Sequence, residues 1–450
     1  MIDLMTLREF VWGPWLLCLF LAAGVCMAAR LAGDLTRARA RGRAGALPDE
    51  KQFLTSCTAL AATLGTGNIA GVATALTAGG PGAVFWMWIC ALLGMATAYG
   101  ETYLGIRYRK KGADQSWLSG PFLYLSDGLK KPAAGCCYAV FCMLAALGMG
   151  SMVQANSIAE SVSLLAPIDP AAAAVVVTAL AASVFLGGIR RISEAASVLV
   201  PVSAALYLVF GGILLLSCAR ELPGAFSQIF AGALRPESAA GGAAGYGIRA
   251  ALINGCSRGV FSNEAGLGSL AILHGCAPEH ASPGQQGLWA MFEVFFDTIV
   301  NCTLTALILL CANAPLQGPE TGSRLVASCF CAVYGPAGGR LVAACLILFA
   351  FATIIAWYYL GRQAALWLAG KSRARAAVLL NLYTAGCLLS LFTGCVGRLE
   401  TVWAISDIFN GLMAVPNLLA LFALSGQIRA PGCAEPGNFR QEQKKNETKK

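Results

Sequence analysis

Two stretches carry glycines and polar side chains where the rest of this sequence is apolar: TLGTGNIAG at residues 63–71 and RGVFSNEAGLGS at residues 258–269. Glycine lowers helix propensity by ~1 kcal/mol relative to alanine and lets backbone come close to a ligand. A helix broken at Gly65, Thr66, Gly67 and Asn68 frees backbone amides that suit a carboxylate, and carbonyls that suit an ammonium group or sodium. Phe261, Ser262, Asn263 and Gly266 occupy the second stretch. The chemistry expected is the binding of a small zwitterion together with a monovalent cation. Close packing of helices through small residues would account for one such stretch; two, each with an asparagine, favour a site.

The elements that must position these residues are membrane helices. The 450 residues are 57% hydrophobic and 12% charged, against about 25% charged in soluble domains. Apolar runs on the order of 20 residues, enough to span a bilayer, fall at 11–31, 53–78, 82–106, 135–163, 170–188, 195–218, 246–272, 287–313, 339–369, 375–394 and 400–424, which predicts eleven helices. Both glycine-rich stretches lie inside predicted spans. Placing 30–51, 107–131, 190–191, 362–375 and the tail after 425 inside puts 24 of the 32 lysines and arginines there, so the positive-inside rule sets the N-terminus outside and the C-terminus inside. The net charge of +9 then reflects loops attracted to an anionic inner leaflet, and not nucleic acid. The first apolar run reads as a retained helix and not a signal peptide, because its arginine cluster RARARGR follows the run.

The expected class is an all-α polytopic membrane protein. After an extra N-terminal helix and basic cytoplasmic loop (1–52), five helices (53–218) and a further five (246–424) follow, with a polar cytoplasmic tail at 425–450. An odd number of helices in each half forces the second to be inverted relative to the first, the plan common among secondary transporters. The two glycine-rich stretches then open the two halves at matching positions. Unwound backbone is tolerated in hydrocarbon only where it lines an enclosed cavity.

Rival chemistries fail on spacing. GTGNIAG at 65–71 is one residue too long for a dinucleotide fingerprint and no strand can precede it. ALWLAGKS, ending at Ser372, has Ala365 where a P-loop needs its first glycine. With only His274 and His280 and no HExxH, a metalloprotease is excluded, and no GxSxG elbow occurs. The 18 cysteines form no CxxC or zinc spacing and read as small buried hydrophobes. No enzyme activity and no cofactor are expected.

The segment GGPGAVFWMWICALLG at 79–94 matches, without a gap, the signature of the alanine/glycine:cation symporter family, the sodium:alanine symporters. GTGNIAGVATA, MVQANSIA at 152–159, FSNEAGLGS, QGLWAMFEVFFDT at 286–298 and TIIAWYYLG at 353–361 are also similar to family blocks, in order across roughly residues 50–425. The chain departs from the family pattern at SGPFLY (119–124), at AWYYLGR, and at Asn301, where an apolar residue is usual. The resemblance implies a leucine-transporter-type fold with one extra N-terminal helix, moving a small neutral amino acid with sodium or, less often, protons. It implies substrate contact for Gln154, an amide in an apolar helix that could otherwise serve an interhelical hydrogen bond of about 1 kcal/mol. It also implies that Trp357 faces the substrate, where packing between helices is the alternative. Phe261 is expected to cap the pocket, or else to pack in the core; Trp357 and Phe261 together would limit it to glycine- or alanine-sized side chains. Thr353, one turn before Trp357, can offer a hydroxyl to sodium beside carbonyls near Gly65 and Asn68, or bond back to its own helix.

Ionisable groups in spans cost at least ~2.5–3.5 kcal/mol at the centre, so each needs a partner or a task. Arg258 and Glu264 flank the second stretch and could pair across it; Glu293 and Asp297, four apart, share a helical face and could hold a proton or engage Arg258. A structural ion-pair network is the plainer reading of these four, and of Glu101 and Asp407. The expected function is sodium-coupled uptake of alanine or glycine across the cytoplasmic membrane. Proton coupling through Glu293 and Asp297 is one alternative, and a membrane amino-acid receptor or channel is another.

Overall fold

The computed structural model describes residues 4–40, 53–234, 247–318, 320, 322–397 and 399–430. Residues 41–52 of the expected basic loop and 431–450 of the expected tail lie outside the described residues. In hydrocarbon every backbone amide and carbonyl must be satisfied within the segment, and the structure is accordingly almost all helix. Among the described residues, eight helices are long and apolar enough to cross a membrane: Thr6–Asp34, Gly82–Tyr108, Pro132–Leu165, Arg191–Ser217, Pro283–Cys311, Pro336–Ala369, Arg373–Val396 and Thr401–Gln427. A shorter apolar helix, Pro170–Phe185, starts on Asp169, whose carboxylate accepts from Ala171 N at 2.7 Å.

The two glycine-rich segments are broken. Helix Phe53–Thr63 stops, a 3-10 turn covers Thr66–Asn68, and helix Ala70–Gly79 resumes. Helix Ile248–Asn263 stops in turn before Ser269–Leu273. Glu264, Gly266 and Gly268 between them all take left-handed backbone conformations, with φ of +57°, +91° and +81°. Two glycines in five residues make that path accessible.

Three elements were not expected. Helices Leu222–Leu234 and Gly322–Tyr334 occupy stretches read as loops; each is too short for a span and escapes a twenty-residue window. A two-residue hairpin pairs Lys110 with Leu118 and Lys111 with Trp117. Two membrane-length helices also contain π-helical stretches, Ala146–Val153 and Phe295–Cys302. Such insertions recur at functional sites, and here one ends where Gln154 begins and the other contains Asp297.

The broken helices lie at the centre of the bundle. Gly94 lets helix Gly82–Tyr108 approach the second break: a Cβ there would stand 3.1 Å from Ala265 Cβ. Gly67 lets the breaks meet directly, since its Cβ would lie 3.1 Å from Ser262 Cα.

Candidate functional site

Asn68 organises the first break from three sides. Its Oδ1 accepts from Gly65 N at 2.9 Å, and its backbone carbonyl accepts from Thr305 Oγ1 at 2.7 Å. Its Nδ2 donates to Asp297 Oδ1 at 2.5 Å and to the Asp297 carbonyl at 3.2 Å. Tyr207 OH, 2.6 Å from Thr305 Oγ1, completes the chain by donating to it. Gly65 is wedged between helices: a Cβ would lie 2.8 Å from Thr353 Oγ1 and 3.6 Å from Gln154 Oε1. Only glycine fits there without displacing Thr353. The Thr353 hydroxyl, in turn, donates to Phe349 O at 3.0 Å and to Leu64 O at 3.4 Å, so it both bonds back to its own helix and reaches the first break.

The second break is held from its flanks. Asn263 donates to Thr298 Oγ1 at 3.1 Å and accepts from Ala265 N at 3.1 Å. Glu101 Oε2 accepts from Gly268 N at 3.0 Å and from Asn417 Nδ2 at 2.9 Å. Asn417 Nδ2 also donates to Gly266 O at 2.9 Å, and Tyr138 OH donates to Leu267 O at 2.9 Å. Trp357 Nε1 donates to Glu264 Oε1 at 2.6 Å.

One carboxylate connects the two breaks. Asp297, fully buried, accepts from Asn68 of the first break and, through Oδ2, from Ser262 Oγ of the second at 2.9 Å and Thr298 Oγ1 at 2.8 Å. No basic side chain pairs with it among the described residues. Thr66 Oγ1 in the first break, Gln154 Oε1 beside Gly65 and both amide atoms of Asn301, on the helix of Asp297, are buried with no hydrogen-bond partner among the described residues. Asn301 stands one turn from Asp297 and one turn from Thr305, which donates to its carbonyl at 3.2 Å. Unpartnered buried polar atoms each cost about 1–3 kcal/mol, so the cluster suits a polar ligand or an ion. Among the described residues no group of histidine, cysteine and carboxylate side chains could hold a tightly bound metal.

The residues singled out by sequence thus divide. Gly65, Thr66, Gly67, Asn68, Ser262, Asn263, Gln154 and Thr353 surround the junction of the two breaks. Gly266 lies on the second break but faces away, toward Phe20 and Leu418. Trp357 packs its Cβ against Gly150 and directs its indole N–H to Glu264. Phe261 stacks on Trp403 with ring centres 5.0 Å apart, and the Arg258 guanidinium lies 5.5 Å from its ring.

Two pairings anticipated from sequence do not form. Arg258 pairs with Asp407 at 3.3 Å and not with Glu264, because Glu264 follows the helix end in a left-handed turn that points it to Trp357. Glu293 and Asp297 do not act as a pair. The π-helical turn beginning at Phe295 changes the rotation between them, and Glu293 Oε2 sits 3.0 Å from His274 Nε2, whose Nδ1 is 2.6 Å from Gln286 Oε1. Sequence reasoning missed Thr305, Thr298, Tyr138 and Asn417, single polar residues in apolar helices whose partners are distant in the chain.

A family model described as the sodium:alanine symporter family matches residues 3–450. Among similar proteins, the sodium/alanine symporter AgcS of Methanococcus maripaludis is 39% identical over 94% of both chains. The probable sodium/glutamine symporter GlnT of Bacillus subtilis is 32% identical over 93% of this chain and 87% of its own. The putative sodium/proton-dependent alanine carrier protein YrbD of Bacillus subtilis is 34% identical over 82% and 77%. Among solved structures, MhsT in complex with L-phenylalanine superposes with a TM-score of 0.60 at 15% identity, covering 85% of this chain and 90% of that one. A sodium-coupled sialic acid symporter in its substrate-bound outward-open state gives 0.53 at 13% identity, covering 95% and 99%. At these identities the likeness establishes the leucine-transporter-type fold.

Proposed function

The chain belongs to the sodium:alanine symporter family, and from that membership we propose that it takes up alanine or glycine, driven by sodium. It is a multi-pass membrane transporter, a sodium-coupled amino-acid symporter and not an enzyme. The finer reading rests above all on Asp297, a buried carboxylate that binds a side chain from each broken helix and has no basic partner among the described residues. A buried anion left alone costs several kcal/mol. A cation at the junction of the breaks removes that cost and draws both breaks onto one centre.

In this reading the amino acid binds beside Gln154, between the freed backbone of Gly65–Asn68 and that of Ser262–Asn263. The orphaned oxygens of Thr66 and Gln154 supply acceptors for its ammonium group. Sodium takes oxygens near Gly65, Asn68 and Thr353, with Asp297 supplying the negative charge. Gly65, as the point where a Cβ would strike Thr353, keeps the first break close enough to Thr353 for shared coordination. Coupling follows because an ion that orders the unwound segments lowers the entropic cost of ordering them again for substrate.

The five-plus-five division at 53–218 and 246–424 assigns each break to the first helix of one half, and transport proceeds by rocking of the bundle that contains them. The N-terminus lies outside and the C-terminus inside, as the lysine and arginine distribution requires. A proton is the alternative coupling ion, because Asp297 can accept one in the same position.

Uptake of radiolabelled alanine into proteoliposomes under an imposed sodium gradient, with a proton gradient in parallel, tests the reading. Concentrative uptake that requires sodium and fails in Asn68→Ala and Gln154→Ala supports it. Accumulation driven by the proton gradient alone selects the alternative, and no accumulation under either gradient overturns both.

A further inference from the structure

His274 and Glu293 stand apart from the junction of the breaks, and both side chains are fully buried. His274 Nδ1 lies 2.6 Å from Gln286 Oε1, an oxygen that can only accept, so Nδ1 carries a proton and donates it. Its Nε2 lies 3.0 Å from Glu293 Oε2. With Nδ1 protonated, a neutral ring beside an ionised carboxylate would set two lone pairs face to face. A hydrogen bond at that distance needs one more proton, on the ring or on the carboxylate, and the pair shares it in either case.

The pair also sits where one arm of each broken helix meets the other. His274 begins the turn His274–Cys276 that ends the second arm after Ser269–Leu273. Helix Phe53–Thr63, the first arm, packs on that turn and on the start of helix Pro283–Cys311, and its Ser56 lies beside Glu293. In the orientation proposed above these are the cytoplasmic arms. The other titratable groups around the pair leave the shared proton to it. Cys57 of the first arm and Cys276 of the turn lie near Glu293, Tyr99 packs on Gly287 and Tyr359 lies near Cys276; thiols and phenols are neutral at pH 7. Arg109 spends its Nη atoms on the carbonyls of Ala277, Pro278 and Glu279. The Glu279 and His280 side chains are exposed, and Glu101 and Asp297 face the breaks.

We infer that His274 and Glu293 form a proton site, separate from the coupling ion, which binds one proton when the cytoplasmic arms close and releases it to the cytoplasm when they part. Parting exposes the imidazole to water, where it is neutral above pH ~6.5. Above that pH the closed form therefore holds one proton more than the open form, and each unit rise lowers the ratio of closed to open by up to about tenfold. Below it the ring is protonated in both forms and the dependence disappears. The proton enters and leaves on the same side, so it drives no substrate; cytoplasmic pH sets how readily the arms close. The inference rests on the alternating-access reading for what the proton controls.

The chain has two histidines, and His280 is exposed. His280→Gln therefore leaves a single imidazole, whose two nitrogens are read by nitrogen-15 NMR on the purified full chain. A proton on Nδ1 and a hydrogen-bonded Nε2 are expected at neutral pH. A bare Nδ1 overturns the site, because the ring's one proton would then lie on Nε2 and the pair would hold no extra one; an Nε2 without a hydrogen bond overturns it as well. Hydrogen exchange tests the link to closure. Without substrate, protection of the backbone amides of helix Phe53–Thr63 is expected to fall by about tenfold per unit between pH 7 and 9. Glu293→Gln keeps the shape, cannot share the proton, and flattens that slope. Protection that does not change with pH in the native chain, or an equal slope in Glu293→Gln, overturns the control of closure by this pair. Neither measurement involves transport, so a failure to accumulate alanine would sink the symport reading and leave the proton site standing.

Discussion

Asp297 joins Asn68 and Ser262 through its two carboxylate oxygens, Oδ1 accepting at 2.5 Å and Oδ2 at 2.9 Å. The first partner belongs to one broken helix and the second to the other, so a single side chain on helix Pro283–Cys311 registers both. Asp297→Asn keeps the shape and removes the charge. If the carboxylate balances sodium, the stabilisation that sodium gives the wild-type chain, about 2.7 kcal/mol at a hundredfold excess over Kd, is lost in this variant. Thermal unfolding with and without sodium measures it. An undiminished sodium-dependent shift would show that the ion is held elsewhere.

Gly65 poses a steric question that a double substitution resolves. Its Cβ would stand 2.8 Å from Thr353 Oγ1, so Gly65→Ala pushes the first break away from helix Pro336–Ala369. Uptake falls by more than tenfold, on the order of 1.4 kcal/mol or more. Adding Thr353→Ala removes the clash and restores thermal stability. It does not restore sodium-dependent uptake if the Thr353 hydroxyl is an ion ligand. Full recovery of transport in the double variant would reduce Thr353 to a packing role.

Trp357 and Glu264 form the hydrogen bond, 2.6 Å long, that fixes the left-handed residue of the second break to the long helix. Trp357→Phe keeps most of the ring and deletes the donor, leaving Glu264 Oε1 buried without it, at a cost of about 1–3 kcal/mol. Glu264→Gln retains an acceptor and costs less. A double-mutant cycle on unfolding free energy separates the bond from ring packing; a coupling near zero would mean that Trp357 acts by packing alone.

The interruption of both helices was legible because glycine and asparagine each weaken an apolar span, so that finding them together marks a place where backbone opens. That Asn68, Ser262 and Asn263 stand at such openings followed from that alone. What sequence could not reveal was pairing at long range. Arg258 finds Asp407, 149 residues away, and Glu101 finds Asn417, neither of which spacing constrains. Asp297 and Glu293 looked like a pair because four residues make one α-helical turn, but the intervening π-helical stretch turns one toward the breaks and the other toward His274. The helices Leu222–Leu234 and Gly322–Tyr334 escaped because they fall well short of the length a membrane span requires.

Glu101 is a buried carboxylate that holds the backbone of the second break. Its Oε2 accepts from Gly268 N and Asn417 Nδ2, and Asn417 in turn holds the Gly266 carbonyl. One oxygen with two lone pairs is sufficient for both bonds. Glu101→Gln therefore preserves the second break, and both uptake and melting temperature stay near those of the wild-type chain. Glu101→Ala leaves a buried amide and a buried side-chain donor unsatisfied, which costs about 2–4 kcal/mol over the two groups. The variant is expected to expose the backbone amides of residues 264–268 to hydrogen exchange well before global unfolding. Equal loss of uptake in Glu101→Gln and Glu101→Ala would contradict this assignment, because it would require the negative charge itself and not the acceptor it provides.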